Sequence, residues 1–489
     1  MPIFYSALLL TLVNLLLRFV GTSFQVYLSG RIGAAGIGLL QLVMSVGGMA
    51  MVAGTAGIRT ATMYLTAEEL GRKQGQNVTR VLSCCFLYSI LFSSAVGLLL
   101  WRLAPVIAES WIGDVHTANA LRLLAAFLPA TCLCGVMTGY FTAANRIGTL
   151  AAVEVAEQLT SMGITLWLLH FWAGTDPAKA CLAVVLGAAL GAVMTLLCLV
   201  VLRLRQHAPT GPRLPLARRL CAAALPLAAA DDLRTGISTA ENLMVPKRLA
   251  LNSTVENPLA AFGIVSGMVF PVLMFPACIL FGLAELLIPE LARCAAAGSK
   301  QRIRYLARRS LKTAALYGLL FFGLMYLTAE PLCRTLYGNM EAAGHLKRYA
   351  LLIPMLYCDT ITDAMTKGLG QQRICVRYNI ITNILDIGFL YILLPKYGMD
   401  GYFFSFFVTH LLNFFLSLRR LLKITGQRIP LRLPLCCLAA APLCVWLAGH
   451  LAAPLLRVAV YPVLLGCMLT LLGVLRREDG VWLKGLVRL

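Results

Sequence analysis

Residues 181–202 read CLAVVLGAALGAVMTLLCLVVL and contain no charged side chain. As a helix this stretch is about 33 Å long, enough to cross the hydrocarbon of a bilayer. Arg203, Arg205, Arg213, Arg218 and Arg219 follow at once, in a connection broken by Pro209, Gly211, Pro212 and Pro215. An apolar span that ends on a basic, turn-rich connection is the pattern of a membrane crossing that stops at a positively charged interface.

The same alternation runs along the whole chain. Fourteen apolar segments fall near 4–28, 37–64, 81–103, 121–143, 151–171, 180–202, 221–245, 259–288, 311–332, 349–369, 378–394, 402–422, 433–451 and 456–474. Hydrophobic residues make up 59% of the chain and charged residues 13%, against about 25% charged in soluble domains. Mean hydropathy is +0.80, which excludes a soluble multidomain protein. The net charge of +21 does not indicate a nucleic-acid partner, because the basic residues lie in the connections between apolar spans. Sixteen cysteines are scattered through the apolar runs without a CxxC or Cys/His spacing. They read as small apolar filler, with no metal site and no disulfide framework.

Arg and Lys mark alternate connections. One side receives Arg72, Lys73, Arg80 and Arg146, the 203–219 run, and the basic residues of 300–309, 373–377, 419–432 and 476–488. The other side receives few, among them Arg31, Lys179, Lys247, Arg334 and Arg457. By the positive-inside rule both termini face the cytoplasm of a multi-pass protein in a bacterial cell membrane. Trp101, Trp111 and Trp172 fall at expected outer ends, where interfacial aromatics belong.

The first twelve segments read as two copies of six. A shift of 227 residues places Gly36-Ile37 on Gly263-Ile264 and Arg146-Ile147 on Arg373-Ile374. Six crossings is an even number, so the copies are expected to be parallel repeats. The expected fold is all-α: a polytopic membrane protein with about 14 transmembrane helices, two pseudo-symmetric six-helix bundles and two extra C-terminal helices. The divisions are 1–202, a cytoplasmic linker at 203–219, 220–422, two further helices over 433–474, and a cytoplasmic tail at 475–489. Pro271 and Pro276 in segment eight, with Gly263 and Gly267, predict a bent or locally unwound helix.

Four stretches resemble the multidrug/oligosaccharidyl-lipid/polysaccharide (MOP) flippase superfamily, and within it the stage V sporulation protein B-like group near the lipid II flippases. The first runs from Arg18-Phe19-Val20-Gly21 through residues 28–41 to Thr55-Ala56-Gly57-Ile58. The second runs from Ala224-Leu225-Pro226-Leu227 to Val245-Pro246-Lys247-Arg248-Leu249. The third is Ser266-Gly267-Met268 with Pro271 and Pro276, closing on Ile288-Pro289-Glu290, and the fourth is residues 367–371. The resemblance implies flipping of a lipid-linked oligosaccharide to the outer leaflet, for peptidoglycan, surface polysaccharide or sporulation. Two positions depart from the family pattern. Where lipid II flippases carry a second Arg, this chain reads Thr22-Ser23-Phe24-Gln25, and where the related group follows Ala-Gly-Ile with Pro, it has Arg59.

Ionisable groups in mid-span cost about 2.5–3.5 kcal/mol each on insertion scales and so mark cavities or ion pairs. Arg18 lies inside segment one with Asn14 a turn before it. Arg59 lies near the end of segment two, where interfacial snorkelling competes with substrate contact. Segment seven carries Asp231, Asp232, Arg234, Ser238 and Glu241, with Arg234, Ser238 and Glu241 on one face. These line a water-filled cavity or form an ion-paired cluster between helices. Segment ten carries Asp359, Asp363 and Lys367 on one face, as a cavity wall or a salt-bridged stripe. Glu154, Glu157 and Gln158 of segment five, and Asn379, Asn383 and Asp386 of segment eleven, fit an inner mouth or helix-end solvation.

No catalytic signature stands out. There is no P-loop for ATP and no HExxH. The expectation is a transporter, not an enzyme, carrying an undecaprenyl-pyrophosphate-linked saccharide by alternating access. No cofactor is expected, and coupling to Na+, H+ or the membrane potential is open. A cation-coupled multidrug exporter of the same superfamily, and a membrane-embedded glycosyl- or acyltransferase, are the rival readings. The orientation is testable. A Gln206→Cys protein without other cysteines is expected to resist an impermeant reagent added outside and to react once the membrane is opened; labelling in intact cells contradicts the orientation.

Overall fold

The structure, a computed structural model, describes residues 2–71, 77–174, 176–204, 216–427, 432–451 and 453–475. Among them there are helices and turns and no strand. With no water in hydrocarbon to satisfy N–H and C=O groups, a chain this apolar closes its hydrogen bonds within helices. In order these are α1 (Pro2–Thr55), α2 (Ile58–Gly71), α3 (Val78–Val106), α4 (Ala118–Ala143), α5 (Ile147–Leu168), α6 (Pro177–Leu204), α7 (Leu216–Leu249) and α8 (Pro258–Gly263). Then come α9 (Phe270–Met274), α10 (Ala277–Ala296), α11 (Lys300–Tyr337), α12 (Met340–Ala350), α13 (Ile353–Gly368), α14 (Gln372–Thr425), α15 (Arg432–Gly449) and α16 (Pro454–Leu471).

Seven of the described helical runs are long and apolar enough to cross a membrane, and the bent pair formed by Pro258–Met274 and Ala277–Ala296 makes an eighth. Two of the seven, Leu15–Leu70 and Gln372–Thr425, are 56 and 54 residues long, about twice one crossing. Each is broken at a glycine: Gly33 (φ 70, ψ −179) in α1 and Gly398 (φ 55, ψ −133) in α14. An L side chain at either would be strained, which is why glycine ends one span and starts the next there. With α5, α7, α13 and α15 the count of segments is fourteen.

Several expected boundaries move. Segment two is interrupted at Ala56 and Gly57, both with positive φ, and resumes as α2. Segment ten is preceded by its own short helix, α12, which starts on an Asn339 cap. The expected linker is shorter than 203–219, because α6 runs to Leu204 and α7 starts at Leu216. Residues 205–215, and the expected tail after residue 475, lie outside the described residues.

The internal repeat is visible in local geometry, but at a register of 225. Gly113 (φ 87, ψ 15) and Gly338 (φ 62, ψ 17) both close a long helix. Each is followed by an extended residue, Asp114 or Asn339, whose side chain accepts from a backbone N–H just ahead. Asn145 and Gly370 are both left-handed after the next segment, and Gly174 (φ 57, ψ −120) answers to Gly398 one position short of that register. The 227 register rests on two dipeptide matches beside the agreement of span boundaries; caps and helix ends, which are fixed by backbone geometry, place it at 225.

The chain forms two compact units. Unit one is Met1–Gly267 with Asn383–Tyr402, and unit two is Met268–Thr382 with Phe403–Leu489. In unit one α1 meets α8 backbone to backbone. A Cβ on Gly38 would lie 2.3 Å from the Leu259 carbonyl oxygen, and one on Gly263 would lie 2.0 Å from the Ala34 oxygen and 2.7 Å from the Gly38 nitrogen. Gly38 and Gly263 are themselves 225 positions apart. Small residues also let α6 approach α5, where a Cβ on Gly187 would lie 2.7 Å from the Ser161 oxygen. This is how helices associate where burial from water gives no driving force. In unit two, Tyr461 of α16 fits over Gly323 of α11 and donates to the Leu319 oxygen at 2.6 Å, which fastens the last helix to α11.

The glycine crossing gives a stability prediction. Gly38→Ala and Gly263→Ala are each expected to cost about 1–3 kcal/mol by overpacking, read as loss of thermal stability in detergent. Gly48→Ala, with nothing within 4 Å of the new methyl, is expected to be harmless. Equal behaviour of all three would contradict the crossing.

Candidate functional site

The charged residues singled out in segments one, two and seven all belong to unit one. Arg18 is exposed on α1. One turn on, Gly21 leaves α1 close to α5, where a Cβ would lie 3.8 Å from Gln158 Nε2. The side chain of Asn14 lies outside the described residues. Arg59, in the first turn of α2, is also exposed. Its backbone is held against α4, since a Cβ on Gly139 would lie 2.5 Å from the Arg59 oxygen. Its guanidinium acts electrostatically on Glu154 of α5. Glu157, one turn further, accepts from Thr195 Oγ1 of α6 at 2.9 Å. Arg59 of segment two and Glu154 of segment five thus act on each other, and α1 passes close to Gln158 at Gly21, one turn from Arg18.

Segment seven is fixed from one side. Thr239 Oγ1 donates to the Ser45 oxygen at 3.1 Å, and Asn242 Nδ2 donates to Ser45 Oγ at 3.0 Å. A Cβ on Gly57 would lie 2.6 Å from the Ala224 oxygen, so the α1–α2 break also touches α7. These contacts leave Asp231, Arg234 and Ser238 exposed. With about 100° of rotation per residue, Asp231, Arg234, Ser238 and Glu241 share one face while Asp232 points away. Asp232 is accordingly half-buried near Tyr88 of α3, with Oδ1 enclosed and lacking a hydrogen-bond partner. Among the described residues no ion pair joins Arg234 to Asp231 or Asp232. For Asp232 the reason is the opposed face; Asp231 and Arg234 both extend outward.

Glu241 ends this face differently. Its carboxyl meets that of Asp386 on α14, which is buried. Tyr402, also buried, lies beside both. Sequence reading placed Glu241 and Asp386 in separate sets. No spacing rule joins residues on two helices this far apart in the chain, and only the presence of carboxylates in both apolar spans hinted at a pair.

Unit two contains the remaining candidates. Lys367 Nζ pairs with Asp363 Oδ2 at 2.6 Å along α13, one of the two readings open for segment ten. Asp359, a turn earlier, instead accepts from Asn413 Nδ2 at 3.4 Å, and Asp359 Oδ1 and Asn413 Oδ1 are enclosed without a donor.

Comparison with known proteins then places the chain. A family model for polysaccharide biosynthesis proteins matches residues 4–229, and the MatE family model matches residues 249–392. Stage V sporulation protein B of Bacillus subtilis (strain 168) is 21% identical over 410 residues, covering 81% of this chain and 79% of that protein. The lipid II flippase MurJ, in an inward closed conformation, superposes with a TM-score of 0.70 at 11% identity over 98% of this chain and 100% of its own. An inward-facing multidrug resistance MATE family transporter of the MOP superfamily superposes with a TM-score of 0.67 at 14% identity, over 86% of this chain and 100% of its own. At such identities the structures share a fold. The fold and the two family matches define a multi-pass membrane transporter, not an enzyme. The chain is thus similar over most of its length to transporters of the multidrug/oligosaccharidyl-lipid/polysaccharide flippase superfamily.

The segment-ten pair is testable by charge exchange. Asp363→Lys and Lys367→Asp are each expected to lower thermal stability by about 1 kcal/mol, and the double exchange to recover most of it. Additive losses would show that the pair contributes nothing.

Proposed function

We propose that the protein is a flippase that moves a lipid-linked oligosaccharide, of the undecaprenyl-pyrophosphate kind, across the bacterial cytoplasmic membrane. The observation that carries this reading is the sorting of charge on unit one. Arg18, Arg59 and Arg234 stand exposed, whereas Glu241 is turned to Asp386 and Asp232 toward Tyr88. Of the two acidic side chains that share the α7 face with Arg234, only Asp231 is exposed. Exposed guanidiniums on unit one suit an anionic headgroup, because guanidinium forks bind phosphate oxygens in pairs. Gln158 and Glu154 on the neighbouring helix offer acceptors and donors for saccharide hydroxyls. A multidrug exporter for organic cations needs the reverse, a surplus of free carboxylates. The likeness to stage V sporulation protein B and to a lipid II flippase supports the same choice.

Coupling is assigned to the Glu241–Asp386 pair. Two carboxyl groups side by side among buried side chains repel unless a proton or a metal cation sits between them. Binding and release of H+ or Na+ there changes the charge at the end of the α7 face that holds Arg234. The basic connections support cytoplasmic termini, with substrate entering from the cytoplasmic leaflet and its lipid tail remaining in the bilayer.

In vesicles reconstituted with the purified protein, Arg18→Ala is expected to abolish transbilayer movement of a fluorescent undecaprenyl-pyrophosphate saccharide while leaving insertion intact. Arg18→Lys is expected to recover part of it, since an ammonium lacks the paired donor geometry. Wild-type flipping by Arg18→Ala would overturn the site.

A further inference from the structure

Segment eight contains two residues with no backbone donor, Pro271 and Pro276. Ahead of the first, the chain runs as a π-helix over Ile264–Val269. Around the second it bends by 64°, between Met274 and Ala277. Such breaks strand carbonyl oxygens inside the membrane. In transporters stranded carbonyls either coordinate a cation or are taken by donors from neighbouring helices.

Here four side chains take them. Gln25 Nε2 donates to the Gly267 oxygen at 2.9 Å; in a regular α-helix that oxygen would receive the N–H of residue 271, which proline lacks. Tyr337 Oη donates to the Met268 oxygen at 3.1 Å, Tyr357 Oη to the Leu273 oxygen at 2.9 Å, and Tyr317 Oη to the Pro276 oxygen at 2.8 Å. Tyr357 is fully buried, and its ring lies 5.8 Å from that of Tyr317. The oxygens that could have formed a cation site at the bend are therefore occupied by hydroxyls.

The donors sort by position. Gln25 is on α1, the helix that also meets α8 through Gly38 and Gly263. The three tyrosines are on α11 and α13. The change from one set to the other falls between Gly267 and Met268, which is also where the chain passes from unit one to unit two. We propose that segment eight is a two-limb lever with its pivot in the π-helical turn: residues 258–267 are carried by α1, and residues 268–296 are carried by α11 and α13 through a tyrosine latch. The bend at Pro276 is then held in place, since moving these oxygens away would leave three tyrosine hydroxyls without their acceptors. Motion is concentrated in Ile264–Val269, where π-helical hydrogen bonding is a local departure from the stable ladder. Gln25, Tyr317, Tyr337 and Tyr357 are positioning residues in this device, and the inference goes beyond the choice of cargo and does not depend on it.

Hydrogen–deuterium exchange of the full-length protein in lipid nanodiscs tests it without any substrate. In the wild type, amides of 264–269 are expected to exchange faster than those of 277–290. Tyr357→Phe and Tyr317→Phe each remove one hydroxyl and keep the ring, so the fold is retained. Each is expected to speed exchange over 270–284 about fivefold, as for loss of one hydrogen bond, while leaving 258–266 unchanged. Gln25→Leu is expected to do the converse. Acceleration of both limbs by one substitution, or of neither by any, would overturn the lever, as would uniform protection across 264–269.

Discussion

The contact on which unit one depends is the crossing of two backbones at Gly38 and Gly263. In water an apolar helix is driven onto its neighbour; in lipid that drive is missing, and close approach through small residues has to supply the association. With a Cβ on either glycine the helices would stand apart, because the atoms it would meet are backbone, which cannot turn aside as a side chain can. The approach also brings Gln25 within reach of the Gly267 oxygen, so a steric permission on one turn becomes a hydrogen bond to the next break. A second crossing, Gly57 on the Ala224 carbonyl, does the same for α7 and sets the direction in which Arg234 and Asp231 emerge.

From that scaffold the charge distribution follows by helical geometry. Ser45 holds Thr239 and Asn242 on one side of α7, so the face a third of a turn away is left open. Adjacent carboxylates on one helix are separated by rotation: Asp231 stays with Arg234, and Asp232 goes inward toward Tyr88. Further along, Glu241 finds Asp386 and Tyr402. One helix thereby carries an exposed cationic group, Arg234, and one member of a carboxyl pair, Glu241. In the proposed function, occupancy of the one changes the field at the other.

The sequence made local relationships legible and left distant ones hidden. The number of spans, their approximate limits and the bend in segment eight follow from apolar length and from proline chemistry. The Asp363–Lys367 pair was readable because both lie on one helix four residues apart. The Glu241–Asp386 meeting was not, because it joins helices whose order in space no spacing encodes. The repeat was recognised from span boundaries, yet its register was off by two, since dipeptide identity is a weaker marker than the left-handed residues that close helices at Gly113 and Gly338. Gln25 shows how a departure can mislead. It lies in the stretch where lipid II flippases carry a second Arg, a stretch that reads as a lost cation, whereas here it is a donor to the break in segment eight. The tyrosine latch could have been suspected from the proline-freed carbonyls, but which helices supply the hydroxyls is a fact of packing.

The central proposal is that the exposed guanidiniums of unit one select an anionic lipid-linked saccharide. Reconstitution of the purified protein into vesicles, with transbilayer movement of a labelled undecaprenyl-pyrophosphate saccharide followed beside uptake of a cationic dye, tests it most directly. The account predicts movement of the lipid-linked saccharide and no transport of the dye. Dye transport with a stationary saccharide would contradict it.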